Sequence, residues 1–191
     1  MVPSRSGGRK YLLLLLSLLP TLLVMLSVPT GTIHAAAILP AETVSDEAND
    51  PVDAVQGLVS GKVQQVGFRA AIFRLAIRYN LAGWDENLPD GTVRFLLQGP
   101  RSRVENVLSL IPQADPKGNV AGISTEKVPV SPALRTFTVR DWTSKSRGYA
   151  NPTDLVFSLR SPDGPVSQQE AKRMYHRILK EATGLDPDST I

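Results

Sequence analysis

From residue 52 onward the chain switches repeatedly between two hydrophobic spacings. Val55, Gly57 and Val59 alternate with Gln56, Leu58 and Ser60, which predicts a strand running to Lys62. From Arg69 to Tyr79 the period lengthens. Ile72, Phe73, Ala76 and Ile77 recur at helical spacing, Arg74 and Arg78 fall on the opposite side, and Asn80 suits a left-handed C-terminal position. Leu81–Asn87 and Thr92–Gln98 flank Leu88-Pro89-Asp90-Gly91, which predicts a hairpin. Arg101 to Ile111 returns to helical spacing through Val104, Val107, Leu108 and Ile111, and Pro112 stops it. A loop containing Asp115-Pro116-Lys117-Gly118-Asn119 leads to two strand-like runs, Ile123–Val130 and Arg135–Trp142, joined through Ser131-Pro132-Ala133.

This order, β-α-β-β-α-β with one further strand-like run before the last, predicts an α+β fold. Two crossover helices on one sheet give a ferredoxin-like two-layer sandwich with helices on one face. Residues 52–142 make that domain, and about ninety residues can hold their own core. Residues 143–191 form a C-terminal extension, with a strand at 154–160 and a turn at Ser161-Pro162-Asp163-Gly164. Ser167 and Glu170 form a capping box that opens a helix over 167–183, with Gly184 past its end. Ala171, Met174, Tyr175, Ile178 and Ala182 line one face of that helix. The stripe either packs on the main domain, whose second sheet face offers a place to dock, or meets a protein partner.

The N-terminus changes the picture of where this domain works. A basic region ends at Lys10, an apolar run spans Tyr11 to Val28, and small residues follow at Ala35-Ala36-Ala37. Residues 1–37 therefore read as an export signal, with an uncleaved membrane anchor as the alternative. Either places the remainder outside the cytoplasm: periplasmic, lumenal or extracellular, or membrane-attached and facing away from the cytoplasm. Residues 38–51, with few large apolar side chains and no period, read as a linker. The net charge of +3 also belongs to the signal. Residues 1–37 hold three of the 21 basic residues and none of the 18 acidic ones, so the rest carries 18 of each. No basic run with interleaved aromatics follows, so nucleic acid is not an expected partner. The chain has no cysteine, and its two histidines are His34 and His176, so the domain has no material for a His/Cys metal site or a catalytic His.

The candidate chemistry lies in Gly61-Lys62-Val63-Gln64-Gln65-Val66-Gly67-Phe68-Arg69. A glycine-flanked loop ending in an arginine at a helix start is an oxyanion cradle. The first amides of the helix point outward, the dipole favours an anion, and arginine can bind two oxygens at once. Asn87, arriving on the next strand, supplies an uncharged amide. This run resembles the first motif of the acylphosphatase family, G-x-V-Q-G-V-x-F-R. Leu81 to Val93, Leu81-Ala82-Gly83-Trp84-Asp85-Glu86-Asn87-Leu88-Pro89-Asp90-Gly91-Thr92-Val93, resembles its second, G-x-x-G-x-V-x-N-x-x-D-G-x-V. Gln98-Gly99-Pro100 and Phe137-Thr138-Val139-Arg140 also fit, and the resemblance spans about residues 53–141.

The resemblance implies a five-stranded antiparallel sheet with two helices on one face and hydrolysis of a small acyl phosphate to a carboxylate and inorganic phosphate, without metal or cofactor. It implies that Arg69 and the backbone amides of Gln64, Gln65, Val66, Gly67 and Phe68 bind the phosphoryl group, and that Asn87 orients the attacking water. The alternative is an acylphosphatase-like module that binds an anion or a protein with little or no turnover. Two residues depart from the pattern. Gln65 stands where the family has glycine, at a cost of about 1 kcal/mol if its φ is positive. Asp85 stands where the family has valine, on the strand face of Asn87, and a carboxylate there must be solvated, paired or protonated. Trp84 reads as a packing residue.

Overall fold

The computed structural model describes residues 49–161 and 163–187; the predicted export segment and nearly all of the linker lie outside them. The strands are β1 (Val52–Lys62), β2 (Ala82–Asn87), β3 (Val93–Pro100), β4 (Asn119–Lys127), β5 (Thr136–Ser144) and β6 (Tyr149–Ser158). The helices are α1 (Phe68–Tyr79), α2 (Arg101–Leu110) and α3 (Gln168–Thr183). Strand alternation sends Val55, Val59, Val93, Phe95, Leu97, Phe137 and Val139 into one buried layer with Ile72, Phe73, Ile77, Val104 and Val107 of the helices. The fold class is the predicted α+β sandwich.

The strand order is β4-β1-β3-β2-β5-β6. The sheet is mixed rather than antiparallel, because β2 and β5 run parallel, with Gly83 opposite Phe137 and Asp85 opposite Val139. Strands on either side of a crossover helix share a direction. β5 follows the edge strand β4, reverses it, and so arrives at the far side of the sheet pointing the way of β2.

The extension departs further from expectation. β6 adds to the sheet beside β5, in register from Thr136 opposite Ser158 to Ser144 opposite Tyr149 across two irregularities. A sixth strand needs its own cover, and α3 supplies it by lying beside α1 in the helix layer rather than on the open sheet face. Ser167 caps α3 by accepting the Glu170 N–H at 3.1 Å. Tyr175 stands edge-on to Phe73 with centroids 6.1 Å apart, and Phe73 sits 5.9 Å from Phe137. Ala171, Tyr175 and Leu179 are the buried positions of α3, Met174 and Ile178 are half-buried, and Ala182 is exposed. Spacing of i to i+4 carries the contact from Ala171 through Tyr175 to Leu179, where the predicted stripe turned aside to Ile178 and Ala182.

A polar clasp built on buried Asn80 and Arg103 fastens the extension to the end of α1. Asn80 takes the left-handed conformation (φ 53°, ψ 49°) that closes the helix. Its side chain accepts the Arg160 N–H at 2.8 Å and donates to the Asp163 carboxylate, which Arg103 reaches from α2 at 2.7 Å. Among the described residues no helix is long and apolar enough to cross a membrane.

Candidate phosphate-binding site

Only residues 63–67 separate β1 from α1, so the chain must turn sharply between a sheet and the helix that covers it. It does so through two positive φ values, 61° at Gln65 and 101° at Gly67, the residue that precedes the helix. Alternation of left-handed with ordinary residues turns successive N–H groups into one concavity. The first helical bond runs from the Ala71 N–H to the Gly67 carbonyl at 3.0 Å. Among the described residues, none of the N–H groups of residues 64–70 has a protein acceptor. The helix dipole adds partial positive charge at the same place.

Gln65 therefore occupies a left-handed position, where a side chain is strained. Its side chain is exposed and accepts from Lys145 Nζ, 3.4 Å from Oε1. Gln65→Gly is expected to raise stability by about 0.5–1 kcal/mol, or about 2–5 °C in Tm. Calorimetry reads this directly, and a Tm that is unchanged or lower would show that position 65 stores no strain.

The other predicted residues divide between core and site. Phe68 is buried and lends the site only its backbone N–H, while Val66 is half-buried against the core. Gln64 has a role that its place in the motif did not show. Its Nε2 donates to the Leu88 and Thr92 carbonyls, each at 2.8 Å, and so clamps the β2–β3 hairpin against the cradle. Asn87, opposite Val93 at the end of β2 and next to the clamped Leu88, is exposed.

Arg69, in the first turn of α1, is held by backbone rather than by a carboxylate. Nη1 donates to the Arg140 carbonyl and Nη2 to the Asp141 carbonyl at 3.4 Å. Those carbonyls belong to an irregularity in β5 where Asp141 has φ 48°. The Asp141 N–H donates to Asp154 Oδ1 of β6 at 2.9 Å, so the extension shapes the anchor of Arg69. Burial lowers the Arg69 pKa and the charges of Asp85 and Asp141 work against that shift; a guanidinium in this setting stays cationic.

Asp85 is 0% exposed, and among the described residues neither carboxyl oxygen has a hydrogen-bond partner. Phe95 and Val139 stand opposite it on the two neighbouring strands. Burial pushes its carboxyl well above the usual range, Arg69 opposes the shift, and Glu86 adds to it. Of the three options for this residue, protonated is the one the structure supports. Between the ordinary carboxylate pKa and the raised folded one, the native state keeps a proton that the unfolded chain has released. Stability therefore falls as pH rises, by about 1.4 kcal/mol per unit for this group. Asp85→Val removes the effect. Denaturant unfolding from pH 4 to pH 8 should show the variant's advantage growing with pH, and a constant difference would mean that Asp85 is ionised in the fold.

On the open sheet face the Trp84 ring carries two guanidinium groups, Arg140 at 4.2 Å from its centroid and Arg94 at 5.6 Å. Glu86 joins the same two arginines, accepting from Arg94 Nε at 2.8 Å and Arg140 Nη1 at 3.2 Å. Burial pushes the Glu86 carboxyl up, but these bonds outweigh it and hold the pKa below its ordinary value. A further carboxylate reaches the cradle from the loop after α2: a Cβ at Gly67 would lie 3.5 Å from Asp115 Oδ2. The carbonyl anchors of Arg69 and the approach of Asp115 depend on tertiary placement and leave no trace in the sequence.

The acylphosphatase profile matches residues 55–139. The chain is similar to an acylphosphatase from Syntrophotalea carbinolica, 39% identical over 82 residues, which cover 43% of this chain and 89% of the relative. An acylphosphatase from Chlorobaculum tepidum is 38% identical over 82 residues, with the same coverage of 43% and 89%. A crystal structure of acylphosphatase from Bacillus subtilis is 29% identical, covers 46% of this chain and 96% of that one, and gives a TM-score of 0.43.

Proposed function

This chain belongs to the acylphosphatase family, and from that premise we propose that its domain hydrolyses a small acyl phosphate outside the cytoplasm. The observation that carries the reading is the cradle itself: free N–H groups over residues 64–70 beside a guanidinium fixed by two carbonyls. In this reading the phosphoryl oxygens sit on those amides and on Arg69. Asn87, held near the cradle by the Gln64 clamp, orients a water toward phosphorus. Water attacks phosphorus, the bond from phosphorus to the acyl oxygen breaks, and its electron pair leaves with the carboxylate. The other product is inorganic phosphate. A carboxylate is already a good leaving group, so the burden falls on positioning and on electrostatic stabilisation.

Export rests on the sequence of residues 1–37, with membrane attachment through that segment as its alternative. A second reading draws on Gln65 and Asp85, whose strain and buried carboxyl stand inside the site: a module that holds an anion with little turnover. Hydrolysis of benzoyl phosphate by the purified full-length chain, beside Arg69→Ala and Asn87→Ala, separates the two. Activity that both substitutions remove supports the enzyme; equal rates in all three, or none above background, would sink it.

A further inference from the structure

Asp85 combines three properties that ordinary core residues lack. It is fully buried, neither of its oxygens has a hydrogen-bond partner among the described residues, and its charge and that of the Arg69 guanidinium act on each other. Arg69 does not pair with it: the donors of Arg69 go to the Arg140 and Asp141 carbonyls. Neutral Asp85 thus leaves the charge of Arg69 free to act on an anion in the cradle. An ionised carboxylate in the same dry position would compete with that anion for the same cation, and low local dielectric would make the competition strong.

We propose that Asp85 is a positioning residue that serves the phosphate site as its neutral acid. With the proton on, Arg69 stays on its carbonyl anchors facing the cradle. With the proton released to solvent, Arg69 is drawn to the carboxylate and the cradle loses affinity for phosphate. This rests on reading the cradle as a phosphate site. By linkage, a bound phosphate holds the proton on Asp85 as much as the proton favours phosphate.

Other charged groups face this pair from each packed element. β5 presents Asp141, whose charge acts on Arg69, and Arg140, which turns to the open face and pairs with Glu86 of β2. The loop after α2 presents Asp115 at Gly67, and Lys145 stands beside Gln65. β3 presents apolar Phe95. None of these changes when Asp85 is replaced, so comparison with a position-85 variant isolates its proton.

The test is inorganic phosphate affinity of the full-length chain by titration calorimetry from pH 5 to pH 10. Wild type is compared with Asp85→Asn and Asp85→Val, alongside benzoyl phosphate hydrolysis by the same samples. The ionisation of phosphate itself is common to all three. Wild type should lose affinity at alkaline pH by up to about tenfold per pH unit relative to Asp85→Asn, and agree with it within about threefold at acid pH. Asp85→Val guards against an effect of the buried amide and should follow Asp85→Asn. Superposable pH curves for wild type and both variants would overturn the proposal, as would failure of every sample to bind phosphate. Diverging phosphate curves without hydrolysis would sustain Asp85 and sink the enzyme; hydrolysis with superposable curves would do the reverse.

Discussion

Arg69→Ala is expected to lower kcat/KM for benzoyl phosphate by about a thousandfold, with little change in the fold. Charge accumulates on the phosphoryl oxygens and the leaving carboxylate as the bond breaks, and a preorganised cation stabilises it without reorganising at that moment. Loss of one oxyanion donor costs about 10²–10³ in rate, and loss of an arginine at a transferring phosphoryl group about 10³–10⁵. In the proposed reaction Arg69 would combine both roles, so the lower end of the second range is the expectation. Stability should fall by only about 1 kcal/mol, because the Asp141 carbonyl lies toward the surface and gains water. Arg69→Lys sharpens the result. An ammonium has no planar fork to hold the anchors and a phosphate together, so about a hundredfold loss should remain. A lysine variant close to wild type would show that charge alone matters. Asn87→Ala should cost about a hundredfold, mostly in kcat, if Asn87 holds the water rather than the bound phosphate as proposed.

The features that were legible in the sequence are those written in local periodicity. The hairpin at 88–91, the left-handed Asn80, the Ser167 cap and the position of α1 all follow from spacing and turn chemistry. The turn at Gly67 and the place of Arg69 in the first turn of α1 were legible because a helix start is a local event. What escaped was set by distant pairings. Spacing cannot tell which neighbour β5 will find, so its parallel contact with β2 was hidden. The same holds for β6, whose position decided that α3 would join the helix layer and that Asp154 would shape the bend that anchors Arg69. Asp85 was legible as an anomaly, but its resolution required knowing that Arg69 would bond to carbonyls instead.

Tyr175→Ala is expected to destabilise the domain by about 3–4 kcal/mol while leaving kcat near wild type below the unfolding transition. The ring is 7% exposed, stands edge-on to Phe73, and carries the Arg74 guanidinium 5.4 Å from its centroid. Removing a buried aromatic takes away its burial and its contacts and leaves a cavity that a helix pair can only partly close; Phe→Ala in cores costs about 3–5 kcal/mol. Tm should drop by about 10 °C or more. The catalytic expectation follows from where the ring touches α1. Phe73 and Arg74 lie a turn beyond Arg69, and the cradle is held independently by the Gln64 clamp and the β5 carbonyls. A loss of kcat at low temperature would mean that α3 sets the geometry of the cradle itself. A Tm within about 2 °C of wild type would mean that the apolar face of α3 contributes little to this core and is free for another surface.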